Sequence, residues 1–297
     1  MRRSVWRTAV LAAAGVVLWD ASEAWAWGGG VHIELAGRLA AGAVALPAGL
    51  AALLWRRRRE FLYGNIAADV IFAKRLSRVK QFCHHWATGL SLLGDAETET
   101  GRAFAYGYLA HLAADTVAHN KYLPRQLMLS ARTTEFGHLY WEIRADATVR
   151  QPSWRLLRDV LHHRHPEAER LMARHLDRAA LPFGWNRRAF TRMNLLASAR
   201  SWRQSVRWVA RRSRYPLNGS LLAGYADESL ARAADVLVHL TDSPVMQLDP
   251  SGRGALGRIR SDRRHLRRAA RAGLPTRDIL REMVHTHAPE VPDLAAG

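Results

Sequence analysis

The chain of 297 residues predicts an all-α fold: a single multi-helix bundle domain with a buried metal cluster and a basic C-terminal extension. Three observations predict it. Few segments alternate with period two, whereas most place apolar residues at helical spacing. Those segments are rich in Ala, Leu and Arg, all good helix formers. Histidines and acids recur four residues apart inside apolar stretches, where an uncompensated polar group is costly. Hydrophobic residues make up 48% of the chain, enough for a sizeable core, which excludes global disorder.

The periodicity places helices at 31–44, 48–59, 63–77, 81–93, 100–118, 135–147, 153–162, 166–178, 187–212, 220–240 and 261–272. Ahead of them, residues 1–26 read as a signal peptide. Arg2, Arg3 and Arg7 form a basic start, Thr8 to Trp19 is apolar, and Ala24-Trp25-Ala26 is a small-x-small cleavage pattern. An exported, periplasmic or secreted chain is therefore expected, with an uncleaved membrane anchor as the rival. Leu39 to Trp55 is an apolar run of near-spanning length, but Pro47 and Gly49 break it into two packed helices. Asp95 to Thr100 is a polar linker. Pro182 with Gly184 marks a turn, and so does the group Pro216, Asn218 and Gly219. Residues 251–297 carry ten Arg against five acids and read as a short basic helix followed by a flexible tail.

The net charge is +18, with 41 Arg and 3 Lys. Such a surface attracts anions: phosphate, an anionic membrane surface or nucleic acid. The single cysteine, Cys83, excludes an internal disulfide. It reads as a small buried apolar residue. Bound metal would then be a source of folding free energy.

The chemistry is concentrated at His111, Asp115 and His119, spaced i, i+4 and i+8 among Ala, Leu and Val. On a straight helix the first pair is about 6 Å apart along the axis and the outer pair about 12 Å, too far for one ion to hold both histidines. Two ions would share the helix, with Asp115 between them. His138 and Glu142 form a second i, i+4 pair of the kind that suits zinc. His84 and His85 are adjacent and point about 100° apart on a helix, so only one serves as a ligand. Asp69 is a lone carboxylate in an apolar stretch and needs a partner, such as a cation. Trp27 would become a new N-terminus after cleavage. Three glycines and His32 follow it, so its freed amine and His32 form a candidate chelate.

Taken in order, this set resembles the zinc-dependent phospholipase C family, related in fold to the single-strand nucleases of the S1/P1 type. The matching pattern runs from Trp27 to Glu142: an N-terminal Trp, a His soon after, an isolated Asp, a His before an aromatic, His-x3-Asp with a further His, and His-x3-acid. The resemblance makes residues 27–250 the phospholipase C-like domain and implies up to three zinc ions. Asp69, His84, His111 and Asp115 would hold one; His119, His138 and Glu142 a second; and Trp27, His32 and the bridging Asp115 the third. The family's spacing prefers His84 over His85. Only three residues separate Asp115 from His119, where the family has five, so His119 must reach its ion from within the helix or its last turn.

The implied activity is phosphodiester hydrolysis by zinc-activated water, with a phospholipid as substrate and Asp69 as ligand or general base. Tyr63, Trp86, Tyr108, Tyr140 and Trp141 lie near the motifs, where they would line a head-group pocket or pack the core. The four residues between Trp27 and His32 are nuclease-like, whereas Glu142 and the lack of disulfides are phospholipase-like. Alternatives are an S1/P1-like single-strand nuclease or nucleotidase, and a metal-stabilised envelope protein without catalysis. The oligomeric state has no signal in the sequence.

Overall fold

A computed structural model describes residues 27–70, 82–130, 137–175, 183–213 and 215–287. The proposed signal peptide, residues 71–77 of the expected helix 63–77, and the end of the chain from 288 lie outside the described residues. The fold is all-α, and the described residues contain no strand.

The helix α1, Gly29–Ala40, has no capping side chain of its own at its N-terminus. Instead Val31 N donates to Asp146 Oδ1 at 3.0 Å, so a distant carboxylate satisfies a donor that the helix start leaves bare. Burial pushes Asp146 up to about 7 against the pull of those backbone N–H groups. The apolar run divides as expected. Gly42 takes a positive φ of 80°, and Pro47 precedes α2, Ala48–Arg56. Among the described residues no helix is long and apolar enough to cross a membrane. α3, Arg58–Ala67, begins after a break at Arg57, which the expected helix 48–59 ran through.

A short 3-10 turn, Phe82–His84, leads to α4, Trp86–Gly94; His85 between them is extended, so no single helix spans 81–93. α5, Glu99–Val117, is the axis of the bundle. Thr98 caps it by accepting from Gly101 N at 3.1 Å. Nearly every residue of α5 is buried, as expected of a helix that is apolar all round. α3 and α4 pack on it, and so does α12, Gly219–His239. Asn218 Oδ1 caps α12 by accepting from Ser220 N and Leu221 N.

α5 does not end at residue 118. It opens into a π-helical turn, Ala118–Tyr122, and continues as α6, Leu123–Leu129, a helix the periodicity missed. Pro124 lies just beyond the turn. It has no N–H to give the carbonyl four residues back, and its ring crowds that carbonyl, so a widened turn relieves a regular helix. α7, Gly137–Asp146, α8, Gln151–His162, and α9, Pro166–His175, follow. The expected helix 187–212 is two: α10, Phe183–Ser198, and α11, Arg200–Arg212, separated by an extended Ala199. Ser198 Oγ bonds back to Leu195 O at 2.7 Å, a local competitor to the helical ladder.

The basic C-terminal segment forms two helices rather than a short helix and a tail: α13, Arg253–Arg271, and α14, Thr276–His287. Ala255, Leu256, Ile259, Leu266 and Ala269 are buried, and both helices pack against α6. Arginines at the intervening positions keep the outer face of α13 polar, so charge counting alone hid an apolar stripe.

Candidate metal centre

The crossing of α3 and α5 sets the site. Gly64 and Gly107 meet there, and a Cβ on Gly64 would lie 2.9 Å from the Gly107 Cα. Without side chains at these two positions the helices approach closely enough for Asn65 O to accept from His111 Nδ1 at 2.8 Å. A backbone carbonyl can only accept, so Nδ1 carries the proton and Nε2 is turned toward the cluster.

Four imidazoles converge on one carboxylate. His111 Nε2 is 3.1 Å from Asp115 Oδ2, His84 Nε2 3.3 Å, and His119 Nε2 3.7 Å. His32 Nε2 is 3.3 Å from Asp115 Oδ1, and its ring stacks on His111. His84 Nε2 is also 3.3 Å from Asp69 Oδ1. Ligand-type atoms of His32, Asp69 and His111 lie within 4.8 Å of one another, and so do those of His84, His111 and Asp115. His138 Nε2 pairs with Glu142 Oε1 at 3.0 Å, and the His138 ring sits 5.8 Å from that of His119. All eight side chains are buried, His138 the least so at 7% exposed. His85 is exposed.

Each element brings its donor for a local reason. The 3-10 turn is held by Tyr108 of α5, whose hydroxyl donates to Cys83 O. Cys83 is buried. The π turn carries His119, and because Asp115 lies four residues from both His111 and His119, the two rings approach the same oxygen. Trp27 is fully buried and stacks on Tyr122 at 4.6 Å, so the residue is not part of a loose start. The glycines after it are required. A Cβ at Gly28 would overlap the Asp146 carboxylate, and one at Gly30 would lie 2.7 Å from the Trp154 ring.

Electrostatics tests whether a cation fits. Burial would raise Asp115, but His111, with His32 and His84, outweighs it and holds the carboxylate ionised. Burial would likewise lower His111, but Asp115 and Asp69 outweigh it and raise its pKa. His32 is pushed down by burial and by the His111 charge, and burial lowers His119 to about 3. Both Asp115 oxygens and both ring nitrogens of His119 are buried without an aligned hydrogen bond. The cluster thus pairs buried negative charge with two imidazoles, His32 and His119, that burial keeps neutral and with lone pairs to give. A cation would satisfy both, and a set of imidazole nitrogens and carboxylate oxygens suits zinc.

Two contributors were not legible as site residues. Asn65 sits in the apolar stretch that leads to Asp69 but acts through its backbone. The loop before α13 packs on the π turn: Asn120 Nδ2 donates to Asp249 O at 2.8 Å, and Gly252, with φ 58°, approaches His119 so closely that a Cβ would lie 2.8 Å from its carbonyl oxygen. Tyr63, Tyr108 and Trp141 are core residues rather than pocket lining. Trp86 donates to Leu248 O, and Tyr140 Oη lies 2.5 Å from Ser213 Oγ.

An all-helical domain that buries eight His, Asp and Glu side chains around Asp115 and the neighbouring His138–Glu142 pair fits a helical zinc-binding protein. The chain belongs to the zinc dependent phospholipase C family, whose model matches residues 31–180. That stretch contains every candidate ligand except Trp27. No curated protein and no solved structure matches the chain significantly. Membership supports a zinc-dependent hydrolase of the phospholipase C type, with a phospholipid as the implied substrate.

Proposed function

We propose that the protein hydrolyses the phosphodiester bond of a phospholipid head group with up to three zinc ions, and acts after export. One observation carries this reading: four histidine Nε2 atoms, from four separate turns of the chain, surround the buried Asp115 carboxylate. A structural ion needs four ligands and no more. Eight candidate donors, four of them imidazoles against the Asp115 carboxylate, exceed what one structural ion would use and suit a multi-ion catalytic site.

In this reading Asp69, His84, His111 and Asp115 hold one ion, and His119, His138 and Glu142 a second. His32 and Asp115 hold a third, together with the amine and carbonyl of Trp27 once cleavage after Ala26 frees them. Zinc supplies Lewis acidity, which lowers the pKa of water and neutralises charge on phosphoryl oxygens. Asp115 would lie between neighbouring ions and hold them through its two oxygens. Asp69, next in exposure to His138, would accept a proton from an attacking water. Asn65, through its carbonyl, keeps the His111 ring turned toward the site.

The deciding experiment combines metal counting with product analysis. Mass spectrometry of the exported protein should find Trp27 first and two or three zinc ions per chain. Phosphatidylcholine should yield its phosphorylated head group faster than single-stranded DNA yields nucleotides. Fewer than two ions removes the catalytic reading, and faster nucleotide release replaces it with the nuclease one.

A further inference from the structure

Residues 183–213 contain eight Arg, three Trp and no acid, a composition unlike the rest of the chain. They form α10 and α11. Phe190, Met193 and Leu195 pack inward, but a large apolar share is left outside. On α10, Trp185, Arg188, Arg192 and Leu196 are all exposed and fall at i, i+3, i+7 and i+11, one stripe along the helix. On α11, Trp202 and Val209 lie seven residues apart on one exposed flank, and Trp208, about 100° around the helix from Val209, is exposed beside Arg212. Trp185 is 67% exposed, Leu196 60%, Trp208 57% and Val209 50%. The inward side of α11 is anchored. Arg203 is buried over the Trp154 ring, Arg207 Nε donates to Ala147 O at 3.0 Å, and Ser213 meets Tyr140 of α7. α7 is the helix that carries His138 and Glu142.

We infer that the outer face of α10 and α11 is a docking surface for an anionic phospholipid bilayer. Tryptophan favours the head-group boundary, where its ring is partly apolar and its N–H stays wet. Exposed aliphatic side chains beside it enter the acyl region, and flanking arginines meet lipid phosphates. Arg187 is paired with Glu169 at 2.9 Å, but the exposed Arg188, Arg192, Arg200, Arg211 and Arg212 leave the face positive, which selects an anionic surface over a zwitterionic one. A single-stranded nucleic acid would also meet Arg and Trp, but Leu196 and Val209 offer it nothing. The Arg212 guanidinium, 3.9 Å from the Trp208 ring centroid, covers a face that base stacking needs. The inference rests on the proposed function for the choice of lipid as the partner, and it adds how the substrate surface is met.

The test is co-sedimentation of the full chain with vesicles of phosphatidylcholine, alone and mixed with phosphatidylglycerol. Binding to the mixed vesicles should be the stronger and should weaken with salt. The triple variant Trp185→Ser, Trp202→Ser, Trp208→Ser should bind them at least about tenfold more weakly, with unchanged circular dichroism and unchanged turnover of a water-soluble phosphodiester. Parent-like sedimentation of that variant overturns the inference, and so does equal binding to phosphatidylcholine alone. Loss of single-stranded DNA binding with vesicle binding intact would assign the face to nucleic acid instead. Failure of the parent to hydrolyse any phosphodiester counts against the proposed function, while the vesicle result still decides this surface.

Discussion

Gly64 and Gly107 face each other across the crossing of α3 and α5, and a methyl group on either would overlap a backbone carbonyl oxygen of the opposite helix. This approach holds Asn65 O against His111 and so connects the packing of the bundle to the geometry of the metal centre. Glycine costs a helix interior about 1 kcal/mol relative to alanine, so an isolated helix would prefer alanine here.

Gly107→Ala is therefore expected to destabilise the fold, by about 1–3 kcal/mol, because overpacking at backbone contact outweighs the gain in helix propensity. Urea unfolding of the parent and the variant measures it. A variant as stable as the parent would mean that the two helices can separate without cost.

Asp115→Asn keeps the shape of the side chain and removes the charge that four imidazoles share. Zinc content should fall, and phosphodiester turnover should drop by at least about a hundredfold, more than is usual for loss of a group behind the ligands. Full activity with the parent's metal content would refute a bridging role for Asp115.

Removing metal with a chelator should lower the unfolding temperature and leave the helix content largely intact below it. Metal bound only by the folded state adds about 4 kcal/mol at a thousandfold excess over Kd, so a fall on the order of 10 °C is expected at about 2–4 °C per kcal/mol. Calorimetry with and without chelator, followed by zinc addback, measures it. An unfolding temperature indifferent to chelator would show that the charge pattern around Asp115 is satisfied without an ion.

Gly252 stands in the left-handed region and abuts the backbone of His119. Gly252→Val would both strain the turn and push on the π turn, at a cost on the order of 1–3 kcal/mol. The expected signature is selective: the ion held through His119, His138 and Glu142 is lost, while zinc at Asp69, His84 and His111 stays. Equal loss of all zinc would mean that the loop supports the whole fold and not this part of the site.

Residue spacing alone carried the helical class, the division of the apolar run at Pro47, and the individual candidate ligands between His32 and Glu142; their grouping around shared ions came from the family resemblance. These were legible because helical periodicity and i, i+4 pairing are local, and because buried carboxylates among Ala and Leu are conspicuous. The breaks at Arg57 and Ala199 were not legible, since neither residue opposes helix by itself. Nor was the packing of α13, because its apolar stripe is interleaved with arginine.

The sequence by itself determined which side chains are available: a helix offering His111, Asp115 and His119 on neighbouring turns, and further His and acid pairs before and after it. Only the tertiary structure decided how they meet. The fold brings His32 and His84 to the carboxylate that His111 and His119 flank, and the Gly64–Gly107 crossing fixes the His111 ring. Asp146 anchors the start of α1, and a loop from the far C-terminal region presses on His119. Each of these depends on contacts between residues distant in the chain, which local spacing does not encode.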